Sequence, residues 1–277
     1  MALNINTNSG SLAVQNTLTK SSQQLNHSIT KLSSGLRINT SSDDAAGLAV
    51  AEGLRAQTRG FSQAMSNANQ GVAMLQTADS SMQTISDTLI RMRELAVQAS
   101  SDGLMDTERA YVNTEFTQLA GEIDRISNAT EYNGQKLLDG TAGAAGTLTF
   151  QVGTRNTADD RITISMADTD STALGVNASA VDSLANAQSA IDSIDSALDT
   201  LNTRRATLGA TVNQMGKAID NLGTTVENLS VAEGGIRDVD IAKESANFSR
   251  SQVIQQAGVS MLAQANSAPQ MALRLLQ

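Results

Sequence analysis

Cysteine and tryptophan are absent, and proline and histidine each occur once in 277 residues. Without cysteine there is no disulfide, no thiolate nucleophile and no zinc–thiolate site. His27 alone cannot build a site on two imidazoles, such as the H-E-x-x-H pair of a metalloprotease. No G-x-S-x-G elbow is present either, so the familiar nucleophile arrangements are missing and no catalytic residue, cofactor or metal ligand is expected. Only six residues are aromatic, four Phe and two Tyr, too few to fill a broad globular core. One proline leaves little punctuation for a loop-rich fold. Bases are outnumbered 19 to 28, for a net charge of −9. That counts against a nucleic-acid partner, because neutralising phosphates takes a basic face. No apolar run approaches the ~18 residues of a membrane span, so membrane insertion is not expected. The first base is Lys20 and no apolar h-region precedes it, which does not fit a signal peptide. Residence in the cytosol and export by a signal-peptide-independent route are both open on this ground.

What the chain does have is helix-forming sequence with a seven-residue beat. One row runs Leu184, Ile191, Leu198, Arg205, Val212, Ile219 and Val226, and its companion runs Ala187, Ile194, Leu201, Leu208, Met215, Leu222 and Leu229. Only Arg205 breaks the a/d pattern. Ser179-x-x-Asp182 reads as a capping box just upstream. A helix of this length needs antiparallel partners, and two are present. Phe61, Ala68, Leu75, Met82, Leu89 and Ala96 recur every seven beside a mixed row containing Asp79. Val112, Phe116, Leu119, Ile123 and Ile126 follow at 4-3 spacing. Ser100-Ser101-Asp102-Gly103 separates these two stretches, with Asp106 and Glu108 favouring a fresh helix start.

Between the helices, Leu148, Phe150 and Val152 alternate, as do Ile162, Ile164 and Met166. That predicts a β-hairpin, followed by a polar loop through Asn177. Near the start, Leu18, Leu25 and Leu32 interleave with Ser22, Ile29 and Leu36. Near the end, Ile254, Ala257, Met261, Gln264, Ala268, Met271 and Leu275 alternate by three and four, with Pro269 placed to kink or end the helix. Both terminal seams are narrow and marginal for lone helices, so they are expected to fold on assembly. The fold class read from these patterns is mainly α: a long antiparallel helical bundle or coiled coil with paired terminal helices and a small β-hairpin insertion.

Charge is uneven. Residues 1–44 and 237–277 each carry a net +1, and the acidic excess lies between them. Low charge permits association, which marks the ends as the parts that pack. Arg205 is read as snorkelling to the edge of its seam, His27 as solvated, the ten methionines as adaptable packing, and Asp43 and Asp44 as a helix cap. Gly140, Gly143 and Gly146 lack the G-K-[ST] of a phosphate loop.

At Lys31-Leu-Ser-Ser-Gly-Leu-Arg-Ile-Asn-Thr-Ser-Ser-Asp-Asp-Ala-Ala-Gly-Leu-Ala-Val50 the sequence resembles bacterial flagellin. The likeness continues at Asn67-Ala-Asn-Gln-Gly-Val72, Arg93-Glu-Leu-Ala-Val-Gln98 and Tyr132-Asn-Gly134. It returns at Asp238-Val-Asp-Ile-Ala-Lys-Glu-Ser245 and Gln255-Gln-Ala-Gly-Val-Ser-Met-Leu-Ala-Gln-Ala-Asn266. The resemblance implies a short form without large outer domains. Residues 1–44 plus 237–277 would form the inner filament-core domain, 45–140 plus 178–236 the helical-bundle shell, and 141–177 the hairpin and surface loop. It implies a non-enzymatic subunit that self-assembles into a supercoiling flagellar filament and is secreted by type III export. A hook–filament junction protein and a signalling coiled-coil hairpin are the alternatives. Implied partners are many copies of the chain itself, an export chaperone, the filament cap, hook–filament junction proteins and an animal Toll-like innate receptor. Leu18, Leu25, Ile29, Leu32, Leu36, Ile254, Ala257, Met261 and Leu275 would pack the filament core. Arg91, Leu95 and Glu115 fall where the family contacts a neighbouring subunit and that receptor.

Overall fold

The computed structural model describes the backbone of residues 8–275 and the side chains of residues 8–267. Five helices carry the chain: α1 (Ser9–Ser34), α2 (Ala45–Ala99), α3 (Asp106–Ala129), α4 (Leu184–Arg237) and α5 (Ile241–Leu275). Four short strands lie between α3 and α4: β1 (Glu131–Tyr132), β2 (Gln135–Lys136), β3 (Thr147–Gln151) and β4 (Arg161–Ser165). The fold is mainly α with a small β-hairpin, as the heptads and the alternating segment predict.

Four of the five helices begin where a short polar side chain can accept an orphan first-turn amide; at α3 it is Glu108 that accepts from the Met105 amide, at 3.0 Å. Asn8 accepts from Ser11 N–H at 3.1 Å, Asp44 from Gly47 N–H at 2.9 Å and Asp240 from Lys243 N–H at 3.0 Å. At α4 the cap is Ser183, accepting from Asn186 N–H at 3.3 Å, not the Ser179–Asp182 pair. Val181 is buried and its amide donates to Asn113 of α3 at 2.9 Å, which holds that stretch out of the helix. α1 stops at Ser34 because Gly35 takes φ 72°. The row that includes Leu36 is thereby cut short, and Leu36 forms an isolated bridge with Asp238 instead. α5 does not end at Pro269; the helix continues to Leu275. A proline forfeits one backbone bond, and the turns on either side carry the helix past it.

Packing divides the chain into two compact units, residues 1–56 with 228–277 and residues 57–227. Both divisions fall inside the continuous helices α2 and α4 rather than after residues 44 and 236. The hairpin segment 141–177 lies wholly within the second unit.

In unit 57–227, the companion row of α4 is buried from Ala187 through Ile194, Leu201, Leu208 and Met215 to Leu222. Leu75, Met82 and Leu89 of α2, and Phe116 and Ile123 of α3, belong to the same core. Burying each large apolar side chain contributes about 1.5–3 kcal/mol. The alternate row of α4, Ile191, Leu198, Val212 and Ile219, is half-buried. Arg205 finds a carboxylate rather than only snorkelling: Nε donates to Asp79 Oδ1 at 2.9 Å with the Arg205 side chain 26% exposed. The one break in the rows of α4 is therefore answered by an acidic residue in the mixed row of α2.

β3 pairs antiparallel with β4, setting Leu148 opposite Ile164 and Phe150 opposite Ile162. A second hairpin, β1–β2, closes through Asn133 (φ 52°) and Gly134 (φ 77°), the left-handed pair that a two-residue hairpin turn requires. The segment after β4 is not a surface loop. Met166, Leu174, Val176 and Val181 are buried in the helical core, and Thr169 donates from N and Oγ1 to the Leu138 carbonyl.

Candidate assembly surface

Unit 1–56/228–277 is built on the antiparallel pairing of α1 with α5. Asn8 Nδ2 donates to Ala265 O at 2.8 Å, Ser21 Oγ to Ser251 O at 3.1 Å and Ser28 Oγ to Glu244 Oε1 at 2.5 Å. Ser21, Ser28 and Ser251 are the buried residues along this seam. Gly258 extends it: a Cβ there would stand 3.0 Å from Leu18 Cγ. Small side chains let the helix backbones approach. Past the helix ends, Arg37 N–H donates to Arg237 O at 2.7 Å and Val239 N–H to Gly35 O at 3.0 Å, tying the two arms together.

A seam of serine and glycine buries little apolar surface: Leu18, Leu25 and Leu32 are only half-buried, and other large apolar side chains of both helices stay open. Leu12, Ile29, Val253, Ile254, Val259 and Met261 are all exposed, Met261 to 57%. Ala13, Val14, Leu18, Ile254, Ala257 and Met261 line an apolar groove of about 330 Å³ along the pair. A contiguous apolar patch with a built concavity marks an association site. Of the residues singled out for core packing, Leu18, Leu25, Leu32 and Leu36 are half-buried, while Ile29, Ile254, Ala257 and Met261 are exposed. The side chain of Leu275 lies outside the described residues. Helices α1 (Ser9–Ser34) and α5 (Ile241–Leu275) each find in the other, on the small-residue seam, the partner that a lone helix lacks.

The connection between α1 and α2 is ordered by its own carboxylates. Asp43 Oδ2 accepts from the amides of Thr40 at 3.0 Å and Asn39 at 3.1 Å, and these bonds hold its carboxyl below the usual carboxylate range. His27 Nδ1 stands 4.0 Å from Asp43 Oδ1, with the histidine side chain largely exposed. Among the described residues no group of His, Asp and Glu is arranged to hold a metal ion.

The decisive comparison is with known sequences. Residues 5–143 match the profile of the bacterial flagellin N-terminal helical region, and residues 191–276 match that of the C-terminal helical region. The chain is 41% identical to a flagellin of Halalkalibacterium halodurans over 89% of its length and 90% of the relative's. The chain belongs to the bacterial flagellin family. It is also 38% identical to a flagellin of Bacillus subtilis over 99% of this chain and all of that one. Flagellins are structural proteins, not enzymes, and this one is a subunit of the flagellar filament, outside the cell. The crystal structure of Bacillus cereus flagellin superposes with a TM-score of 0.50 at 30% identity, covering 57% of this chain and 88% of that one. A putative flagellar hook-associated protein from Vibrio parahaemolyticus reaches a TM-score of 0.58 over 71% of this chain and all of that one. Its 15% identity shows shared fold alone. The junction-protein and signalling-hairpin alternatives are not favoured. Among the described residues no helix of this flagellin is long and apolar enough to cross a membrane.

The three residues expected to meet a neighbouring subunit separate in the structure. Arg91 is exposed on α2, bonding Glu115 of α3 at 2.9 Å and Glu94 at 2.9 Å, and both carboxylates favour its charged form, Glu115 most. Leu95 is 2% exposed and part of the core, so its side chain is not available to a partner. Residue periodicity could not separate them, because the buried face of α2 is wide enough to take in Met92, Leu95, Ala96 and Ala99 together. Arg109 gives no signal in the heptad rows, although it is buried and donates to the Ala99 carbonyl at the α2–α3 corner.

Proposed function

We propose that unit 1–56/228–277 is the polymerising element of this flagellin, and that its apolar groove is filled by the terminal helices of neighbouring copies. The observation that carries this reading is the inverted packing of α1 on α5, with serines inside and Ile254 and Met261 outside. Contacts that repeat head to tail without closing into a ring generate an open helical filament. On the same reading Arg91 and Glu115 face a neighbouring subunit in the shell, and a Toll-like receptor would meet that pair when the subunit is free. Leu95 is left out of that surface. The family resemblance supports type III export in the unfolded state, escorted by a chaperone, and assembly between junction proteins and a distal cap.

The test is a single substitution in the groove. Ile254→Glu is expected to leave the thermal unfolding of the monomer unchanged, because residue 254 is exposed there. It should raise the critical concentration for filament growth at least ~10-fold, the equivalent of about 1.4 kcal/mol per subunit. Sedimentation of polymer against subunit concentration gives the value. An unchanged critical concentration would remove the groove from the assembly surface.

A further inference from the structure

Unit 57–227 contains a cleft of about 390 Å³ bounded by α2, the β1–β2 turn and β3, a size found among small-molecule sites. Gly71 of α2 shapes it. A Cβ at this position would stand 2.9 Å from Cδ1 of Phe150 and 3.1 Å from Sδ of Met215, so the Phe150 ring lies directly on the helix backbone. Tyr132 lines the cleft as well. A chain with only six aromatics thus places two of them around one small cavity, both half-buried.

The polar lining is equally particular. Gln70, Asn133 and Gln135 bring carboxamides and Thr149 a hydroxyl. None of these four side chains is engaged by another described residue. Their neighbours differ: Asn67 Nδ2 donates to Gln151 O at 3.4 Å, and Gln151 Nε2 donates to the carbonyls of Gly153 at 2.9 Å and Arg155 at 2.8 Å. No Asp, Glu, Lys or Arg lines the cleft. A carboxamide both donates and accepts, which suits vicinal hydroxyls. An aromatic ring offers an apolar face to the C–H side of a pyranose. An uncharged lining gives no purchase to a phosphate or a cation, and the unit around it holds 11 basic against 21 acidic residues, which disfavours an anion.

We propose that this cleft binds a neutral saccharide of one or two pyranose rings. The site is independent of the terminal helices, so it can be tested without polymer. A shallow site of this kind binds weakly alone. In a filament that presents it once per subunit, a glycan surface meets many copies together, and avidity multiplies the affinity.

The experiment is a titration of the isotope-labelled full-length monomer with cellobiose, N,N′-diacetylchitobiose and glucose 6-phosphate, followed at side-chain carboxamide NMR resonances. At least one neutral disaccharide should shift Gln70, Asn133 and Gln135 with Kd in the ~mM range. Glucose 6-phosphate should not. Gln70→Glu, at an exposed helical position, should weaken binding at least ~10-fold with an unchanged melting curve. Silence with both neutral sugars, equal binding of the phosphate, or shifts that survive Gln70→Glu would each overturn the proposal. A cleft that binds sugar in the monomer and loses it on polymerisation would also overturn it, showing a second copy to be the occupant.

Discussion

A chain ending before Arg237 is expected to form no filaments at any concentration, while remaining a folded, soluble monomer. Removing 237–277 takes away α5 and with it the acceptors of Asn8, Ser21 and Ser28. It also removes Arg237 O and Val239 N–H, the partners of Arg37 and Gly35. Nothing in the core of unit 57–227 comes from the deleted segment; its connected cluster runs from Met74 to Met215, and the unit's other buried apolar residues, Ala64, Ala68 and Leu222, also lie outside the deletion. α1 would then be a single marginal helix, and the groove proposed to receive neighbours would lose the wall carrying Ile254, Ala257 and Met261. Negative-stain microscopy and a circular-dichroism melt read the two halves of the expectation. Filaments from the truncated chain would contradict it, and so would loss of the cooperative melt.

The second large effect lies at the corner between α2 and α3. Arg109 is 8% exposed at its side chain. Nε donates to Ala99 O at 2.9 Å, Nη2 to Ser101 O at 2.9 Å and Nη1 to Asp106 Oδ1 at 2.8 Å. One guanidinium thus takes up the carbonyls at the end of α2 and pins the first turn of α3. Arg109→Met keeps much of the apolar stem but leaves those carbonyls unpaired. Charge-assisted hydrogen bonds contribute about 1.5–3 kcal/mol net each. Asp106 is 86% exposed, so its bond adds little; the two carbonyl bonds share one guanidinium and their losses do not add in full, so the expected loss is about 2–4 kcal/mol. For a unit of this size that lowers Tm by roughly 5–12 °C. Arg109→Lys should recover only part, because an ammonium cannot reproduce the planar fork. An unchanged melt for Arg109→Met would show the corner to be held by packing alone.

Much of the fold was legible because heptads report burial directly. The row from Ala187 to Leu222 is the buried row of α4, and the alternation at 148–152 and 162–166 is a paired hairpin. Other features carry no hydrophobic signal. The α1–α5 seam is made of Ser21, Ser28, Ser251 and Gly258, residues that no apolar periodicity can flag. The row Ile254, Ala257, Met261 was visible, but periodicity alone does not say whether a stripe meets its own chain or another; in the structure it stays exposed. Leu174 and Val176 were hidden by the polar residues around them, and their burial, with that of Met166, makes the hairpin segment part of the bundle. Arg205 looks like an error in its row, and Asp79 is one polar residue among several in a mixed one. Only the antiparallel register of α2 and α4 turns them into a pair.

In the proposed assembly, apolar side chains of the terminal helices are open in the single molecule and covered by copies of it in the filament. The natural absence of cysteine makes Met261→Cys a unique label for that surface. Its alkylation rate by a soluble maleimide, measured on monomer and on filament, should be that of a free thiol in the monomer and at least ~100-fold slower in the filament, as expected where opening is needed for access. Equal rates in the two states, or a thiol already protected in the monomer, would contradict the account.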